Sequence, residues 1–295
     1  MKILVTGANG QLGKAIRDIE TDYSQHEFVF ADHDEYDIVS PINDQVEYLE
    51  AKKIDAVINC AAYTNVDKCE DDGALTAIQV NSLGVAHLLQ ACKMADVRLI
   101  HISTDYVFDG NVNTPYKEYM NCNPINAYGV TKYIGEQAIM NDSYENAFIV
   151  RVSWLYYDNC RNFPDTIIKK ATNNPTSVIN IVDDQIGTPT YAGDLARFLV
   201  GELVDDNTVT KTIWHYSNEG VCSWYDFGKA VLELSDNHDD WLVKPVWSGC
   251  FDSKTKRPKY SVMDKQKVKC DFNIEIPHWR DSLKIYLTNI GLRQI

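Results

Sequence analysis

No basic surplus, long apolar run, close cysteine pair or low-complexity tract marks this chain of 295 residues, and each absence removes a class of protein. With 42 acidic against 28 basic residues the formal charge is −14, which argues against nucleic acid as a general partner, because a phosphate backbone requires a basic face. Any anionic ligand must be gripped by local groups. The opening MKILVTGANG holds an apolar run of only four or five residues before a glycine, too short for a signal sequence or a spanning helix, so no membrane partner is expected. The eight cysteines (60, 69, 92, 122, 160, 222, 250, 270) contain no C-x-x-C pair, and several sit in apolar runs. Reduced thiols in a cytoplasmic protein, most of them core filler, are the expectation.

What is present is an alternation. The apolar runs KILVT, EFVFA, DAVINC and VRLIHIS recur with amphipathic segments between them, and AFIVRVSWLY closes the series. β-rich runs alternating with helices imply an α/β fold, a Rossmann-like doubly wound parallel sheet covered on both faces. Helices are expected over Ala74 to Met94, with Leu75, Ile78, Val85, Leu88 and Leu89 as its apolar stripe, and over Ala127 to Met140. Beyond Tyr156 the pattern is less regular, and no linker interrupts it. The expected division is a dinucleotide-binding domain over residues 1–153 with a return segment of about 183–216, and a smaller substrate-binding lobe from about 154–182 and 217–295.

The stretch ILVTGANGQLGKAI places Gly7, Gly10 and Gly13 after a strand and at the opening of a helix. Gly7 suits the tight turn, Gly10 lets the backbone approach a pyrophosphate, and Gly13 lets the helix pack on the sheet, with its N-terminus facing the phosphates. Asp32 lies 19 residues past Gly13; a carboxylate there accepts from an adenosine ribose and repels a 2′-phosphate, favouring NADH over NADPH. Asp34, Glu35 and Asp37 crowd the same loop, so any of them could make that contact. After the third run, Ala61 and Ala62 suit close passage of a cofactor and equally suit plain sheet packing.

Tyr-x-x-x-Lys occurs three times, at Tyr48/Lys52, Tyr128/Lys132 and Tyr225/Lys229, where chance predicts roughly one. A phenol titrates near pH 10 and needs help to transfer a proton near neutrality, which an ammonium one helical turn away can give. It also needs a hydroxyl to hold the substrate carbonyl. The Tyr128/Lys132 pair has one, because the fourth run ends in Ser103 and Thr104, and open α/β sheets place ligands at the carboxyl ends of strands. The corresponding upstream positions for the other two pairs are Ser24, in a polar stretch, and Gly201, in a helical one.

Together, the glycine loop, Ser103/Thr104 and Tyr128/Lys132 resemble the extended short-chain dehydrogenase/reductase superfamily. In order and nearly end to end, STDYVFDG, PINAYGVTKYIGE, RVSWLY, NF…DDQIGTPT and RPKYS are similar to the dTDP-4-dehydrorhamnose reductase family. That resemblance implies hydride transfer from NADH or NADPH to the C4 keto group of a nucleotide-linked 4-keto-6-deoxyhexose, giving a rhamnose-type sugar nucleotide. It implies that Thr104 polarises the keto oxygen, that Tyr128 protonates the alkoxide, and that Lys132 lowers the Tyr128 pKa and holds the nicotinamide ribose. Asp105 and Trp154 resemble substrate contacts. Gly10, Gln11, Leu12, Asp37, Ile38, Ala62, Tyr63 and Thr64 occupy positions that line the cofactor. Arg257 is a candidate clamp for the diphosphate, since guanidinium binds phosphate oxygens in bidentate fashion; the alternative is a solvated basic turn.

The chemistry asks for no metal. Some similar bacterial enzymes bridge a dimer through carboxylates and magnesium, one carboxylate lying early in the first helix, where this chain has Ala15. A homodimer therefore stays open. Two other readings are carried: a bifunctional 3,5-epimerase/4-reductase acting on a UDP-sugar, which would have a cysteine where Asp105 stands, although Cys122 and Cys160 could lie near the site; and a non-catalytic subunit resembling methionine adenosyltransferase beta, because fold alone does not prove catalysis.

Overall fold

A computed structural model describes residues 1–173, 178–206, 208–235, 242–251 and 255–294. Ser253 and Lys254, which open the basic stretch SKTKRPKY, lie outside these. The first half reads β1 (Lys2–Thr6), α1 (Gln11–Asp18), β2 (Glu27–Ala31), α2 (Ile42–Lys52), β3 (Ala56–Asn59), α3 (Ala74–Ile78), α4 (Val85–Ala95), β4 (Arg98–Thr104), α5 (Ala127–Met140) and β5 (Ala147–Val152). Then come β6 (Leu155–Tyr156), α6 (Phe163–Asn173), β7 (Ile179–Val182), β8 (Ile186–Gly187), β9 (Thr190–Tyr191), α7 (Ala192–Phe198), β10 (Ile213–Tyr216), β11 (Cys222–Ser223), α8 (Trp224–Leu234) and β12 (Val243–Val246).

Six parallel strands form the main sheet in the order β2-β1-β3-β4-β5-β10. All five apolar runs are in it, so the expected doubly wound α/β architecture is what the chain adopts. The sixth strand, IWHY, is short and carries a histidine and a tryptophan, so the run pattern passes over it. Side chains of β1 alternate between two cores: Ile3 and Val5 pack with α1 and α7, Leu4 with α2 and α4. Burial on both faces is why these strands read as continuous apolar runs. The chain order reverses between β1 and β3, whose neighbouring carboxyl ends open the crevice in which such sheets bind ligands.

The helix expected over Ala74 to Met94 is interrupted. Residues Gln79–Gly84 form a π-helical segment between α3 and α4. Such a wide turn shifts the helical phase, so Val85, Leu88 and Leu89 reach the core while Leu75 is 75% and Ile78 42% exposed. The expected stripe therefore holds only for its second half. The wide turn carries Asn81, which brackets Tyr63 by accepting from its N–H at 2.9 Å and donating to its carbonyl at 3.0 Å. Asn81 and Ser82 also bond to Thr131 of α5. The cysteines are mixed: Cys69, Cys92 and Cys222 are buried, whereas Cys250 and Cys270 are exposed, so core filling accounts for only part of them.

Two glycines set the close packing of α5, one against the segment that follows β4 and one against the π-helical segment. A methyl at Gly129 would overlap the Tyr106 carbonyl, and one at Gly135 the Asn81 carbonyl. Alanine ordinarily stabilises a helix interior by up to about 1 kcal/mol relative to glycine, but here overpacking dominates. Gly129→Ala is expected to lower unfolding free energy by about 1–3 kcal/mol, read from urea denaturation midpoints at unchanged slope.

Candidate active site

The β1–α1 loop is shaped by contact with β3. Gly7 has φ +60°, and a Cβ there would sit 2.8 Å from Ala61 backbone atoms. Gly13 lies over Ala8, where a Cβ would come within 2.6 Å of its backbone. α1 starts at Gly10 with no side-chain cap and no acid in its first turn, leaving its positive end for an anion. Beside it runs a groove of about 270 Å³, lined by Gly7, Gly10, Asp32, Asp37, Ile38, Ala61, Ala62 and Tyr63 among others. Six expected cofactor residues fall outside that lining: Leu12 is buried within α1, Gly13 packs on Ala8, Thr64 is exposed, Gln11 donates to the Leu155 carbonyl at 3.3 Å, and Tyr128 and Lys132 stand on α5. Gln11 Oε1 is buried without a protein hydrogen-bond partner, which fits a donor from a ligand. Both Asp32 and Asp37 face the groove, and Asp37 also accepts from the Val39 N–H at 2.9 Å.

Thr104 and Tyr128 share a hydrogen bond, and Lys132, one turn further along α5, donates to the Ile102 carbonyl at 2.6 Å. Alternation along β4 sends Ser103 and Thr104 to opposite sides. Ser103 donates to Glu136 at 2.5 Å, and Glu136 forms a buried two-point ion pair with Arg151 at 2.9 and 2.7 Å. Thr104 accepts from the Tyr106 N–H at 3.2 Å and donates to Asp105 at 3.1 Å. Asn126 caps α5 by accepting from Gly129 N–H at 2.8 Å, and its amide donates to the Lys256 carbonyl at 2.9 Å. An Asn directly before an amphipathic run is a helix-start signal, so this residue was findable from sequence. The other two Tyr/Lys pairs stand elsewhere: Tyr48 packs on Tyr36 in α2, and Lys229 pairs with Glu233 on the surface of α8.

Burial sets the electrostatics. Lys132 is only 1% exposed, and loss of hydration lowers its pKa to about 8, with Glu136 and Cys60 opposing. Burial likewise raises the Tyr128 pKa, against a hydrogen bond with Thr104. The protein by itself thus keeps Tyr128 a neutral phenol: burial outweighs the Thr104 hydrogen bond, and the depression expected from Lys132 is not among the effects acting on it. Asp105 is pushed up to about 7 by burial, although Ser261 and Thr104 hydrogen bonds pull it down.

On the far side of Tyr106, whose ring meets Tyr128 edge-on at 5.8 Å, opens a cavity of about 650 Å³. Its wall includes the aromatic rings of Phe163, Trp224 and Phe251 and the cations Lys170, Lys256, Arg257 and Lys259. Arg257 lies in that wall, and its guanidinium donates to Asp67 at 2.9 and 3.0 Å. Trp154 is not in the wall. It has φ +47°, and its ring stacks on Trp224 at 3.6 Å with Gly187 against it. Trp224, which nothing in the sequence pattern singles out, and Phe163, the F of the NF motif, are among the rings that face the cavity. Among the described residues no cluster of three or more metal-ligating side chains occurs, and Ala15 is buried within α1.

The family model described as RmlD substrate binding domain matches residues 1–291. The chain belongs to that family. A curated relative, dTDP-4-dehydrorhamnose reductase of Aggregatibacter actinomycetemcomitans, is 33% identical over 96% of this chain and 97% of its own length. Among solved structures, the dTDP-4-dehydrorhamnose reductase of Clostridium acetobutylicum superimposes with TM-score 0.89 at 36% identity, covering 98% of this chain and 99% of its own. That of Bacillus anthracis, solved in complex with NADP, gives 0.90 at 33% identity, covering 97% and 98%. The RmlD family match thus spans the groove, the Thr104/Tyr128/Lys132 set and the cavity. No helix of the described residues is long and apolar enough to cross a membrane.

Two outcomes follow for the site. A carboxyl whose folded pKa lies above its unfolded value stabilises the fold fully below the unfolded pKa and loses that contribution as pH rises through the folded one. For Asp105 the window runs from 3.8 to about 7. Asp105→Asn should therefore gain stability relative to the parent as pH rises from 5 to 8, by at most about 3 kcal/mol at about 1.4 kcal/mol per unit up to the folded pKa, measured by thermal melts across pH. Asn126→Ala should lose about 1–2 kcal/mol through the missing cap and lower turnover through misplacement of Tyr128, which a denaturation curve and a rate measurement separate.

Proposed function

We propose that this protein reduces the C4 keto group of a dTDP-linked 4-keto-6-deoxyhexose, in the manner of dTDP-4-dehydrorhamnose reductase, to give a rhamnose-type sugar nucleotide. The observation that carries this reading is the position of Thr104, Tyr128 and Lys132 between a glycine-shaped groove and an aromatic, cationic cavity. The groove fits a nicotinamide dinucleotide: Gly7, Gly10 and the start of α1 take the pyrophosphate, Asp32 or Asp37 the adenosine ribose, and Lys132 the nicotinamide ribose. When bound, that cofactor supplies the hydride. NADH is favoured over NADPH because two carboxylates face the ribose end of the groove, although the Bacillus anthracis relative was solved with NADP.

Residues 154–182 and 217–295 act as the substrate lobe, and 1–153 with about 183–216 as the dinucleotide domain. Phe163 and Trp224 stack on flat or apolar parts of the substrate, while Lys170, Lys256, Arg257 and Lys259 hold its diphosphate. Thr104 turns its hydroxyl from Asp105 to the keto oxygen, and Tyr128, a neutral phenol, gives its proton to the oxygen as negative charge develops. Cys122, a cysteine considered for a bifunctional epimerase, accepts from Arg151 at 3.1 Å, which supports the single-step reduction.

The deciding experiment follows NADH or NADPH oxidation with the 4-keto-6-deoxy sugar offered as dTDP and UDP derivative, with and without an added 3,5-epimerase. Turnover of the dTDP derivative that requires the epimerase is expected. Tyr128→Phe should lower kcat by about 10²- to 10⁴-fold with cofactor binding retained. Tight cofactor binding without turnover on any sugar would instead favour a binding subunit. Removing the acid in Asp32→Ala should improve kcat/KM for NADPH relative to NADH by about five- to tenfold, the size of one nearby charge in a solvated groove.

A further inference from the structure

Behind Lys132 runs a buried chain, Thr6–Asn59–His101–Lys132, drawn from β1, β3, β4 and α5, in which every member is at most 1% exposed. Its hydrogen-bond directions can be read without ambiguity from one end. The Ala61 backbone N–H can only donate, and it reaches Asn59 Oδ1 at 3.2 Å. Thr6 donates to the same oxygen at 2.7 Å. These contacts fix the orientation of the Asn59 amide. Its Nδ2, which has only protons to give, faces His101 Nδ1 at 3.0 Å, so Nδ1 is the acceptor and the ring proton of the neutral imidazole sits on Nε2. Nε2 in turn lies 3.3 Å from Lys132 Nζ. An ammonium carries three donors and no lone pair, so charged Lys132 sets donor against donor across that contact, whereas the neutral amine accepts. The other partner of Nζ, the Ile102 carbonyl at 2.6 Å, takes a proton from either form.

We propose that His101, held by Asn59 as the Nε2–H tautomer, is a positioning residue that favours the amine form of Lys132, making Lys132 a group that exchanges a proton in the working pH range instead of a fixed charge. The groups facing Lys132 divide. Tyr128 one turn before it is neutral. Glu136, one turn after it and paired with Arg151, and Cys60 at the end of β3 favour the ammonium. Burial and the His101 N–H favour the amine. His101 itself is kept neutral by its burial and by Lys132. The tautomer is independent of the reductase reading; only its effect on turnover rests on that reading.

The test is made first on the protein without substrate. Long-range ¹H–¹⁵N correlation of histidine-labelled protein, with the His101 signal assigned by its absence in His101→Gln, should show protonated Nε2 and bare Nδ1, unchanged from about pH 6 to 9. A protonated Nδ1, or an imidazolium in that range, would overturn the proposal without any variant being needed. In ¹³C-lysine-labelled protein, Lys132 should titrate about one unit higher in the double variant Asn59→Leu/His101→Gln, because Asn59 no longer claims the amide oxygen and it can turn to the ammonium. An unchanged Lys132 titration in the folded double variant would overturn it as well. Should that variant not fold, Asn59→Leu releases the lock and should let His101 move its proton to Nδ1, while retention of Nε2–H there counts against the role of Asn59. In the enzyme assay the alkaline limb of kcat should move upward with the Lys132 titration; absence of turnover in the parent would speak to the reductase reading alone and leave the two spectroscopic results to decide the tautomer.

Discussion

The ion pair between Glu136 and Arg151 is the contact on which the site depends. It is buried on both sides, at side-chain exposures of 0 and 2%, and its carboxylate also accepts from Ser103. Three elements meet there: α5, β5 and β4. Removing one partner of such a pair typically costs about 3–5 kcal/mol because the other charge is left without a counterpart in a medium of low polarity. Geometry matters as much as energy. Glu136 is one turn beyond Lys132 and two turns beyond Tyr128, so fixing it against Ser103 sets both the depth and the rotation of α5. Thr104, next along β4, is thereby aimed at the helix face that carries the phenol.

Burial then works against charge throughout the site. Lys132 loses proton affinity, Asp105 gains it, and Tyr128 stays protonated. Groups that would be firmly charged on a surface are brought toward the range where protons move. The same desolvation makes each polar contact directional, since an unmatched donor or acceptor has no water to turn to. That is why the orientation of one asparagine amide has consequences two residues away along a hydrogen-bonded chain.

Much of this was legible in the sequence, and the parts that were not share a cause. The five apolar runs identified the sheet because burial on both faces leaves no polar alternation to confuse them. The Tyr128/Lys132 pair stood out only through Thr104, a residue on a different element at the end of a strand. Local periodicity failed where a long-range contact overrode it. Leu75 and Ile78 fit a helical stripe, yet the π-helical segment that lets Asn81 reach Tyr63 turns them outward. IWHY is too short and too polar to read as a strand until β5 is there to pair with it. Trp224 and Phe163 face the cavity because Trp154 is held at a positive φ against Gly187, and no spacing encodes that arrangement. His101 sits inside an apolar run, where a histidine reads as a satisfied core residue; its significance depends on which atoms Asn59 and Ala61 present to it.

The formal charge of −14 required that any anion be held locally, and the fold meets that requirement through one short segment. Lys256, Arg257 and Lys259 are brought from late in the chain to the end of β4 by three contacts. Asn126 binds the Lys256 carbonyl, Asp67 aligns the Arg257 guanidinium, and Gly110, at φ +80°, leaves room for Pro258 and Lys259. Each contact comes from a loop at the carboxyl end of the sheet, the same edge that carries Thr104 and the glycine turn. The segment that supplies positive charge to the cavity is thus fastened to the element that starts α5, because Asn126 serves both as helix cap and as its anchor. The basic segment and the start of α5 thus share one side chain as a fastening, so displacement of the segment would be felt at Tyr128 two residues away.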